Sequence, residues 1–268
     1  MGKRIWIVII ALIMGLGLAS APETAIAISP QQLQEMMDRG EPVTIIDIRV
    51  LDLYRDGHIP GAISMPVTII SKKQVPPVGT VVVYGDGIRT DLDAEALRAL
   101  NARPGIQASI LEGGFSAWET LNLPTTHKSG FREERLPYLS YQELEKVAEA
   151  NPDIVLVDLR TVPDQANTSD TLTDLSTMFP GLNSVRLLRK PQSDGKEWDI
   201  STVTQRGGKD TYYRWLYILI DNGDGEAEKV ARTLKAAGIK RMAILTGGEQ
   251  ILRRGGSPGL ETIKTREK

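Results

Sequence analysis

Residues 43–66 read VTIIDIRVLDLYRDGHIPGAISMP, and this stretch contains the pattern that repeats along the chain. A largely apolar run, 43–46, ends in Asp47-Ile48-Arg49, and the segment Gly-His-Ile-Pro-Gly-Ala follows at 57–62. Short runs that are apolar throughout, rather than alternating, predict strands that are covered on both faces. We therefore expect an α/β fold with a mainly parallel sheet and helices on both of its faces.

The same pattern returns later in the chain. Ile28-Ser29 and Asp47-Ile48-Arg49 have counterparts 111 positions further on, at Leu139-Ser140 and Asp158-Leu159-Arg160. A double glycine closes both halves, at 113–114 and at 247–248. Matches that keep their register predict an internal repeat. We predict two copies of one domain, at residues 28–124 and 139–268, joined by a linker at 125–138 that is charged and contains proline.

Two motifs of the first half resemble those of the rhodanese family of sulfurtransferases. They are the segment 57–62 after its Asp-Ile-Arg strand end, and Leu-Glu-Gly-Gly-Phe-Ser-Ala-Trp at 111–118. The second half is similar to the family more weakly. It keeps Asp158-Leu159-Arg160, a Pro180-Gly181 turn and the double glycine, but it has no histidine and carries apparent insertions at 161–179 and 191–214. The resemblance implies two tandem rhodanese-like domains.

The resemblance also implies a cysteine at the end of the strand that precedes an anion-binding loop. In the first half this region reads Tyr-Gly-Asp-Gly-Ile-Arg-Thr at 84–90, so that Gly85 falls at the nucleophile position, or Tyr84 if the loop is counted back from Arg89. In the second half, the segment 221–226 places Asn222 there. The chain contains no cysteine. A thiolate is the nucleophile in this chemistry, so rhodanese-type sulfur transfer is not expected.

Both loops keep features that allow other interpretations. Backbone N–H groups and a helix start could still hold a small oxyanion in the first half, with the candidate residues Gly85, Asp86, Gly87, Ile88, Arg89 and Thr90. The alternative is that Arg89 pairs with Asp86 or Asp91. The acidic loop of the second half predicts an N-capping turn, with a calcium loop as the alternative. With two histidines and no cysteine, we expect no metal and no cofactor.

Several other residues have structural interpretations. The family resemblance implies a backbone-supporting role for His58 and structural ion pairs for Asp47 with Arg49 and for Asp158 with Arg160. We expect Trp118 to pack in the core. A possible partner-binding face combines the aromatic and arginine side chains that are enriched in binding hot spots, namely Trp198, Arg206, Tyr212, Tyr213, Arg214 and Trp215. Trp215 and Tyr217 could instead simply enter a strand.

The N-terminal 27 residues have the layout of a secretory signal peptide. Lys3 and Arg4 precede an apolar run, and Ala25-Ile26-Ala27 offers a cleavage site after Ala27. We expect a periplasmic or secreted protein, with an uncleaved membrane anchor as the alternative. The apolar share of 41%, the charged share of 25% and the net charge of −2 are typical of a globular protein. They give no bulk attraction to nucleic acid or to a membrane surface.

Three functional hypotheses follow. The first is an exported, non-catalytic rhodanese-like protein that binds a partner protein or a small oxyanion. The second is an active thiosulfate-type sulfurtransferase, which the lack of cysteine disfavours. The third is an enzyme of another reaction that uses the carboxylates of Asp86, Asp224 and Glu226.

Overall fold

The computed structural model describes residues 27–70, 72–73, 76, 78–127, 135–162, 172–190, 197–206 and 212–257. Residues 1–26 lie outside the described residues, so the predicted signal peptide stays a prediction. The described chain forms two α/β units, which we call unit one (27–127) and unit two (135–257). Among the described helices, none is both long and apolar enough to cross a bilayer.

The described residues of unit one form five strands and five helices: β1 (Ala27–Ile28), α1 (Pro30–Asp38), β2 (Thr44–Asp47), α2 (Leu51–Asp56), β3 (Ile63–Ser64), α3 (Val67–Ile70), β4 (Gly79–Tyr84), α4 (Thr90–Asn101), β5 (Ile106–Leu111) and α5 (Gly114–Thr120). Its sheet has the order β1-β5-β4-β2-β3, and every neighbouring pair is parallel.

Unit two repeats this arrangement: β6 (Tyr138–Leu139), α6 (Tyr141–Ala150), β7 (Ile154–Asp158), α7 (Leu175–Met178), β8 (Asn183–Arg186), α8 (Ser201–Thr204), a 3₁₀ turn (Tyr212–Arg214), β9 (Leu216–Ile220), α9 (Glu226–Ala236), β10 (Met242–Leu245) and α10 (Gly248–Arg253). The sheet order β6-β10-β9-β7-β8 is that of unit one, and it is again wholly parallel. The predicted α/β class with parallel sheets is confirmed.

The first helix of each unit starts in the same way. Ser29 accepts a hydrogen bond from the backbone N–H of Gln32, and the Gln32 side chain accepts one from the Ser29 N–H. Ser140 and Glu143 form the same reciprocal pair at α6. This capping box satisfies N–H groups that a helix start leaves without partners. It explains why a serine stands at this point in both halves of the sequence.

Helices cover both faces of each sheet. In unit one, Ile46 and Val83 pack with α3 and α4 on one face, whereas Ile45 and Val82 pack with α1 and α5 on the other. In unit two, α6 and α10 cover one face and α9 covers the other. Because successive strand residues point to opposite faces, a strand buried on both sides must be apolar throughout. This is the pattern from which the strands were predicted.

The predicted boundaries shift slightly at two places. Strand β1 starts at Ala27, where the predicted cleavage site lies, and β6 starts at Tyr138, one residue inside the predicted linker. The start of that linker is also part of unit one, because the backbone N–H groups of His58 and Thr126 each donate to the other residue's carbonyl. The described ends of the linker, 125–127 and 135–138, therefore extend the two units.

Candidate functional site

The segment 85–89 of unit one connects β4 to α4 at the carboxyl edge of the sheet. In parallel α/β sheets, ligands bind outside the carboxyl ends of the strands, so this is the expected place for a site. Strand β4 ends at Tyr84, which is in register with Asp47 of β2. Gly85 is thus the first residue beyond the strand, and the structure favours Gly85 over Tyr84 as the position that corresponds to the nucleophile.

The carboxylate of Asp86 closes this loop from inside. Its Oδ1 accepts hydrogen bonds from the N–H groups of Ile88 (2.7 Å) and Arg89 (2.9 Å). Its Oδ2 accepts one from the Arg89 guanidinium at 2.9 Å. The pairing of Arg89 with Asp86 is therefore confirmed. The external anion considered for residues 85–90 is not supported, because the chain's own carboxylate takes the N–H groups and the arginine that such an anion needs.

A second carboxyl group fills the space beside Gly85. A Cβ atom built on Gly85 would lie 2.3 Å from Oδ1 of Asp93, a residue of α4 whose side chain is buried. Burial, together with the neighbouring charge of Asp86, raises the pKa of Asp93 to about 8, against the opposing effect of Arg241. A side chain at position 85 would have to displace Asp93. Position 85 therefore carries no thiol, and Asp93 leaves no room for one.

The double glycine lets the loop lie directly against α5. A Cβ on Gly114 would lie 2.5 Å from the Gly87 nitrogen, and Gly114 has a φ of +55°. The N–H of Phe115 donates to the Gly85 carbonyl at 2.9 Å. In unit two, a Cβ on Gly248 would lie 2.3 Å from the Asp221 carbonyl oxygen. Close backbone contact therefore requires the second glycine of the pair in both units.

The strand register corrects the prediction for unit two. Asp158 of β7 is in register with Ile220, just as Asp47 is with Tyr84. Asp221, and not Asn222, is therefore the counterpart of Gly85. The Asn222 side chain instead donates to the Thr161 carbonyl at 3.1 Å. The prediction of Asn222 was wrong because residue types alone do not determine which residue follows the last paired strand position.

The acidic loop of unit two is a capping turn. The buried carboxylate of Asp221 accepts hydrogen bonds from the N–H groups of Gly223 (2.9 Å) and Ala227 (3.0 Å), and Asp224 accepts one from Glu226 (3.2 Å). Side chains of the loop thus accept hydrogen bonds from N–H groups at the start of α9, while the N-cap residue itself is Gly225, which makes no side-chain cap hydrogen bond. Within the described residues, no cluster of histidine, aspartate and glutamate side chains is arranged to hold a metal ion.

Each strand-end ion pair is present. Arg49 Nη2 lies 2.6 Å from Oδ2 of Asp47, and its guanidinium also stacks 3.9 Å from the Phe115 ring centre. In unit two, Arg160 pairs with Asp158 at 2.8 Å and also with Glu249, which follows the double glycine where unit one has Phe115. Unit two has replaced a cation–π contact by a second carboxylate. Both predicted ion pairs are confirmed as buried structural contacts.

His58 and Trp118 also have the predicted structural roles. His58 Nδ1 lies 2.9 Å from the Tyr54 carbonyl oxygen, and its ring stacks on the Tyr54 ring with 3.9 Å between centres. Trp118 is fully buried and donates through Nε1 to the Pro124 carbonyl at 2.7 Å.

The unit-one loop is buried against unit two. Ile88 is 3% exposed and belongs to the core cluster that contains Leu139, Tyr141 and Leu144 of unit two. Helix α4 packs against α6 beside it. The segment that would face substrate in an enzyme of this kind is here an apolar contact between the units.

Arg241 of unit two also contacts the unit-one loop at this junction. Its Nε donates to the Gly87 carbonyl at 2.5 Å, and its Nη1 donates to the Arg214 carbonyl. Burial lowers the pKa of Arg241 to about 10, and the charge of Asp93 is the strongest of the effects that oppose this shift. Arg214 in turn pairs with Glu112 of unit one at 2.9 Å. Contacts from unit two thus hold the closed loop in place.

A cavity of about 450 Å³ lies between the units, above the loop. One wall is the carboxyl edge of unit one. The other wall is the amino edge of sheet two, from the residues before β6 to the start of β10. Apolar and charged side chains share the lining: Arg49, Leu53, Asp56, Asp86, Ile88, Arg89, Phe115, Ser116, Glu119, Arg135, Leu136, Pro137, Lys235, Lys240 and Met242. A volume of this size suits a small organic molecule.

The aromatic residues of the expected partner-binding face are largely buried. Trp198 is 8% exposed, lies in the unit-two core, and is stacked by Arg189 while its Nε1 donates to Glu226. Tyr213 is 4% exposed. Trp215 packs partly on the same core beneath Arg206. Trp198 and Tyr213 offer a partner little exposed surface, and partner binding through this region stays a prediction.

Comparisons with known proteins address unit one. Residues 29–121 match the family of the Rhodanese-like domain. This part of the chain is therefore similar to rhodanese-like domains. It is similar, at 30% identity over 100 residues, to an HTH-type transcriptional regulator of Mycobacterium tuberculosis, a match that covers 37% of this chain and 43% of that protein. The chain thus spans less than half the length of the curated relative that it matches.

Solved structures also match, and two of those named below are described as rhodanese-like domains. A rhodanese-like domain of an Anabaena protein is 25% identical, with 42% of this chain and 92% of that domain covered and a TM-score of 0.34. A Rhodanese_3-like domain of the same Anabaena protein is 31% identical, covering 31% and 98%, with a TM-score of 0.28. A full-length protein from Lactobacillus plantarum is 26% identical, covering 38% and 87%, with a TM-score of 0.35.

Three buried charged residues were missed in the sequence analysis, namely Asp93, Arg241 and Glu249. Asp93 could have been found, since it lies on the apolar stripe of α4 with Ala96, Leu97 and Leu100. An acidic residue on such a stripe indicates a specific buried role. The sequence around Arg241 and Glu249 gives no comparable signal, because their partners come from the other unit or from a distant strand end.

Proposed function

We propose that this protein is a non-catalytic tandem of two rhodanese-like domains that acts by binding rather than by sulfur transfer. The observation that carries the proposal is the loop of unit one. Gly85 stands at the nucleophile position, Asp93 fills the space beside it, and Asp86 takes the N–H groups that would hold an anionic donor. A thiol-based reaction would need a cysteine at position 85, free space beside it and loop N–H groups that are free to bind the donor.

The proposal of a second rhodanese-like domain is supported by the sheet of unit two. The order of its strands equals that of unit one, and the same capping box, strand-end ion pair and double glycine recur at equivalent places. In this domain Asp221 stands where unit one has Gly85, and its carboxylate caps the start of α9. Neither domain therefore offers a thiol nucleophile in its loop.

A carboxylate-based enzyme has less support. Asp86 is held by Ile88 and Arg89 in unit one, while Glu226 of unit two bonds to Lys229, Trp198 and Arg189. The hydrogen bond from Lys229 and those from its other partners lower the pKa of Glu226 to about 2. A group with so low a pKa is a poor general base near neutral pH.

We further propose that the protein is exported, on the strength of the signal-like N-terminal 27 residues, and that its ligand is a small molecule or a partner at the junction of the units. The closed loop argues against an inorganic oxyanion at residues 85–90. Within the former hot-spot region Arg214 is exposed, while Arg206 and Trp215 are half-buried, and a protein partner at this surface remains the alternative to a small molecule.

A thiosulfate–cyanide assay tests the non-catalytic proposal. We expect the purified protein to form thiocyanate at the rate of the buffer blank, while an active rhodanese assayed alongside gives normal turnover. Turnover that is above the blank, rises with protein concentration and co-purifies with the intact chain would overturn the proposal.

A further inference from the structure

We propose that the junction between the units is a pH-sensitive switch, closed while the Asp93 carboxyl holds a proton and opened when it loses that proton. Opening means here that the unit-one loop, 85–89, separates from unit two while both units stay folded. The inference goes beyond the proposed function, because it concerns how the two units are held together and requires no ligand.

The unit-one loop connects Asp93 to unit two. On one side of the loop, the Asp93 carboxyl fills the space where a side chain at Gly85 would lie. On the other side, the Gly87 carbonyl accepts a hydrogen bond from Arg241, and Ile88 is buried in a core cluster of unit two. The state of Asp93 and the contacts with unit two therefore act on the same short segment of backbone.

The neutral form of Asp93 is the one that fits this place. Asp93 is 3% exposed, and its Oδ1 has no hydrogen-bond partner within the part of the chain that the structure describes. A buried oxygen without a donor costs more free energy when it is charged than when the carboxyl is protonated. Burial is accordingly the largest of the causes that raise the pKa of Asp93 to about 8, and repulsion by Asp86 comes next.

The surrounding charges do not reverse this preference. Arg241 attracts the ionised form of Asp93, but its effect on the Asp93 pKa is smaller than that of burial. Burial lowers the pKa of Arg241 only to about 10, so Arg241 stays cationic over the range in which Asp93 titrates. Further charged groups that act on these two residues or pair across the junction are Asp91, Asp153, Glu112 with Arg214, and Arg89 with Asp86 and Glu143.

Opening of the junction is favoured as the pH rises. In the closed junction Asp93 keeps its proton up to about pH 8, whereas a carboxyl that opening exposes to water returns to the ordinary value of 3.8. Opening therefore releases a proton between these two values. The ratio of open to closed molecules should rise with pH over this range, by up to about tenfold per pH unit.

Distances between spin labels on the two units test the inference. Because the chain has no cysteine, Arg98→Cys on α4 and Lys146→Cys on α6 can be labelled selectively, and both positions are exposed. At about pH 5.5 we expect the full chain to give one short distance, since α4 packs against α6. As the pH rises to about 8, a second, longer distance should appear and grow by up to about tenfold per pH unit.

Two variants in the same labelled chain separate Asp93 from other titrating groups. Asp93→Asn keeps an uncharged side chain at every pH, so we expect the short distance alone over the whole range. Glu95→Gln, on the exposed face of α4, is the matched control and should open as the wild type does. Circular dichroism at each pH should stay that of the folded protein, which distinguishes opening from unfolding.

Three results would overturn the inference. They are a single short distance at every pH in the wild type, a longer distance that grows equally in Asp93→Asn, and a longer distance that appears only together with loss of the circular dichroism signal. The thiosulfate–cyanide assay does not depend on any of these results. A failure of the switch is therefore distinguishable from a failure of the non-catalytic proposal.

Discussion

Asp93 lies on the buried face of α4 next to Gly85, and its Oδ1 has no hydrogen-bond partner among the described residues. Burial comes first among the causes that raise its pKa to about 8, and the carboxylates of Asp86 and Asp91 add to the effect. Arg241 is the cation that opposes it. The side chain therefore holds a proton in the folded protein at pH values where an exposed aspartate has lost it.

The raised pKa predicts a pH-dependent stability. Between the ordinary value of 3.8 and about 8, the folded protein holds a proton that the unfolded chain releases. The Asp93 contribution is fully present below about pH 4 and is lost as the pH rises to 8, by at most about 1.4 kcal/mol per pH unit. Asp93→Asn should therefore gain stability relative to the wild type as the pH rises from 5 to about 7.5.

Urea unfolding at several pH values measures this difference. Glu95→Gln, on the exposed face of the same helix, is the control and should follow the pH dependence of the wild type. A constant difference between Asp93→Asn and the wild type across the pH range would show that Asp93 has an ordinary pKa.

Gly85 gives the second prediction at the residue scale. Gly85→Cys places a Cβ 2.3 Å from Oδ1 of Asp93, so we expect a loss of about 1–3 kcal/mol in unfolding free energy. It should also fail to restore sulfur transfer, since Asp86 still takes the loop N–H groups. Gly85→Ala should lose as much stability without a thiol, and adding Asp93→Ala to Gly85→Cys should recover part of it. Substantial thiocyanate formation by Gly85→Cys would show that the loop is open.

At the scale of elements, the loop before α4 is an anchor. Ile88 is buried among the side chains of unit two, where Leu144 and Val147 belong to α6. Removing most of a buried isoleucine side chain costs about 2–5 kcal/mol. Because Ile88 lies at the junction, that loss should weaken the docking of α4 on α6.

Hydrogen exchange of α6 checks this role. Ile88→Ala should speed amide exchange in residues 141–150 of unit two, even though the substitution is in unit one. Ile70→Ala removes an equally buried side chain from the core of unit one and is the matched control. If both variants changed exchange in α6 to the same extent, the effect would be a general loss of stability and not a loss of docking.

The elements also show what could be predicted from the sequence. The fully buried strands depend on a short-range pattern, and that prediction was confirmed. The capping boxes at Ser29 and Ser140 also involve neighbours in sequence, although they were not predicted. The Asp47–Arg49 pair is local as well, because its residues are two positions apart. The residue assigned to the nucleophile position of unit two was wrong by one, because that position depends on which residues of β7 and β9 pair.

The candidate site was harder to predict because it depends on long-range contacts. Asp86 closes the unit-one loop through residues that are its neighbours in sequence, so this pairing could be considered from the sequence alone. The burial of Ile88 by unit two and the Arg241 contact with Gly87 join residues far apart in the chain. The cavity exists only where the two units meet. No motif within one unit indicates such a surface.

At the scale of the whole molecule, Arg241 should couple the units. Arg241→Met removes the donors to the carbonyls of Gly87 and Arg214, and it removes the cation whose charge acts on Asp93. We expect a loss of about 3 kcal/mol and the separation of one thermal transition into two. Calorimetric scans check this, with Arg98→Met on the exposed side of α4 as the control. A single transition at the wild-type temperature would contradict the coupling role.

The central claim is that the rhodanese-like loop is closed by the chain's own carboxylates. The most direct measurement is an NMR titration with thiosulfate that follows the backbone amide signals of Ile88 and Arg89. These are the two N–H groups that donate hydrogen bonds to the Asp86 carboxylate. The account predicts that these signals do not move beyond the shifts given by an equal ionic strength of chloride. Saturable shifts of both signals with thiosulfate, in the protein with Asp86 intact, would contradict it.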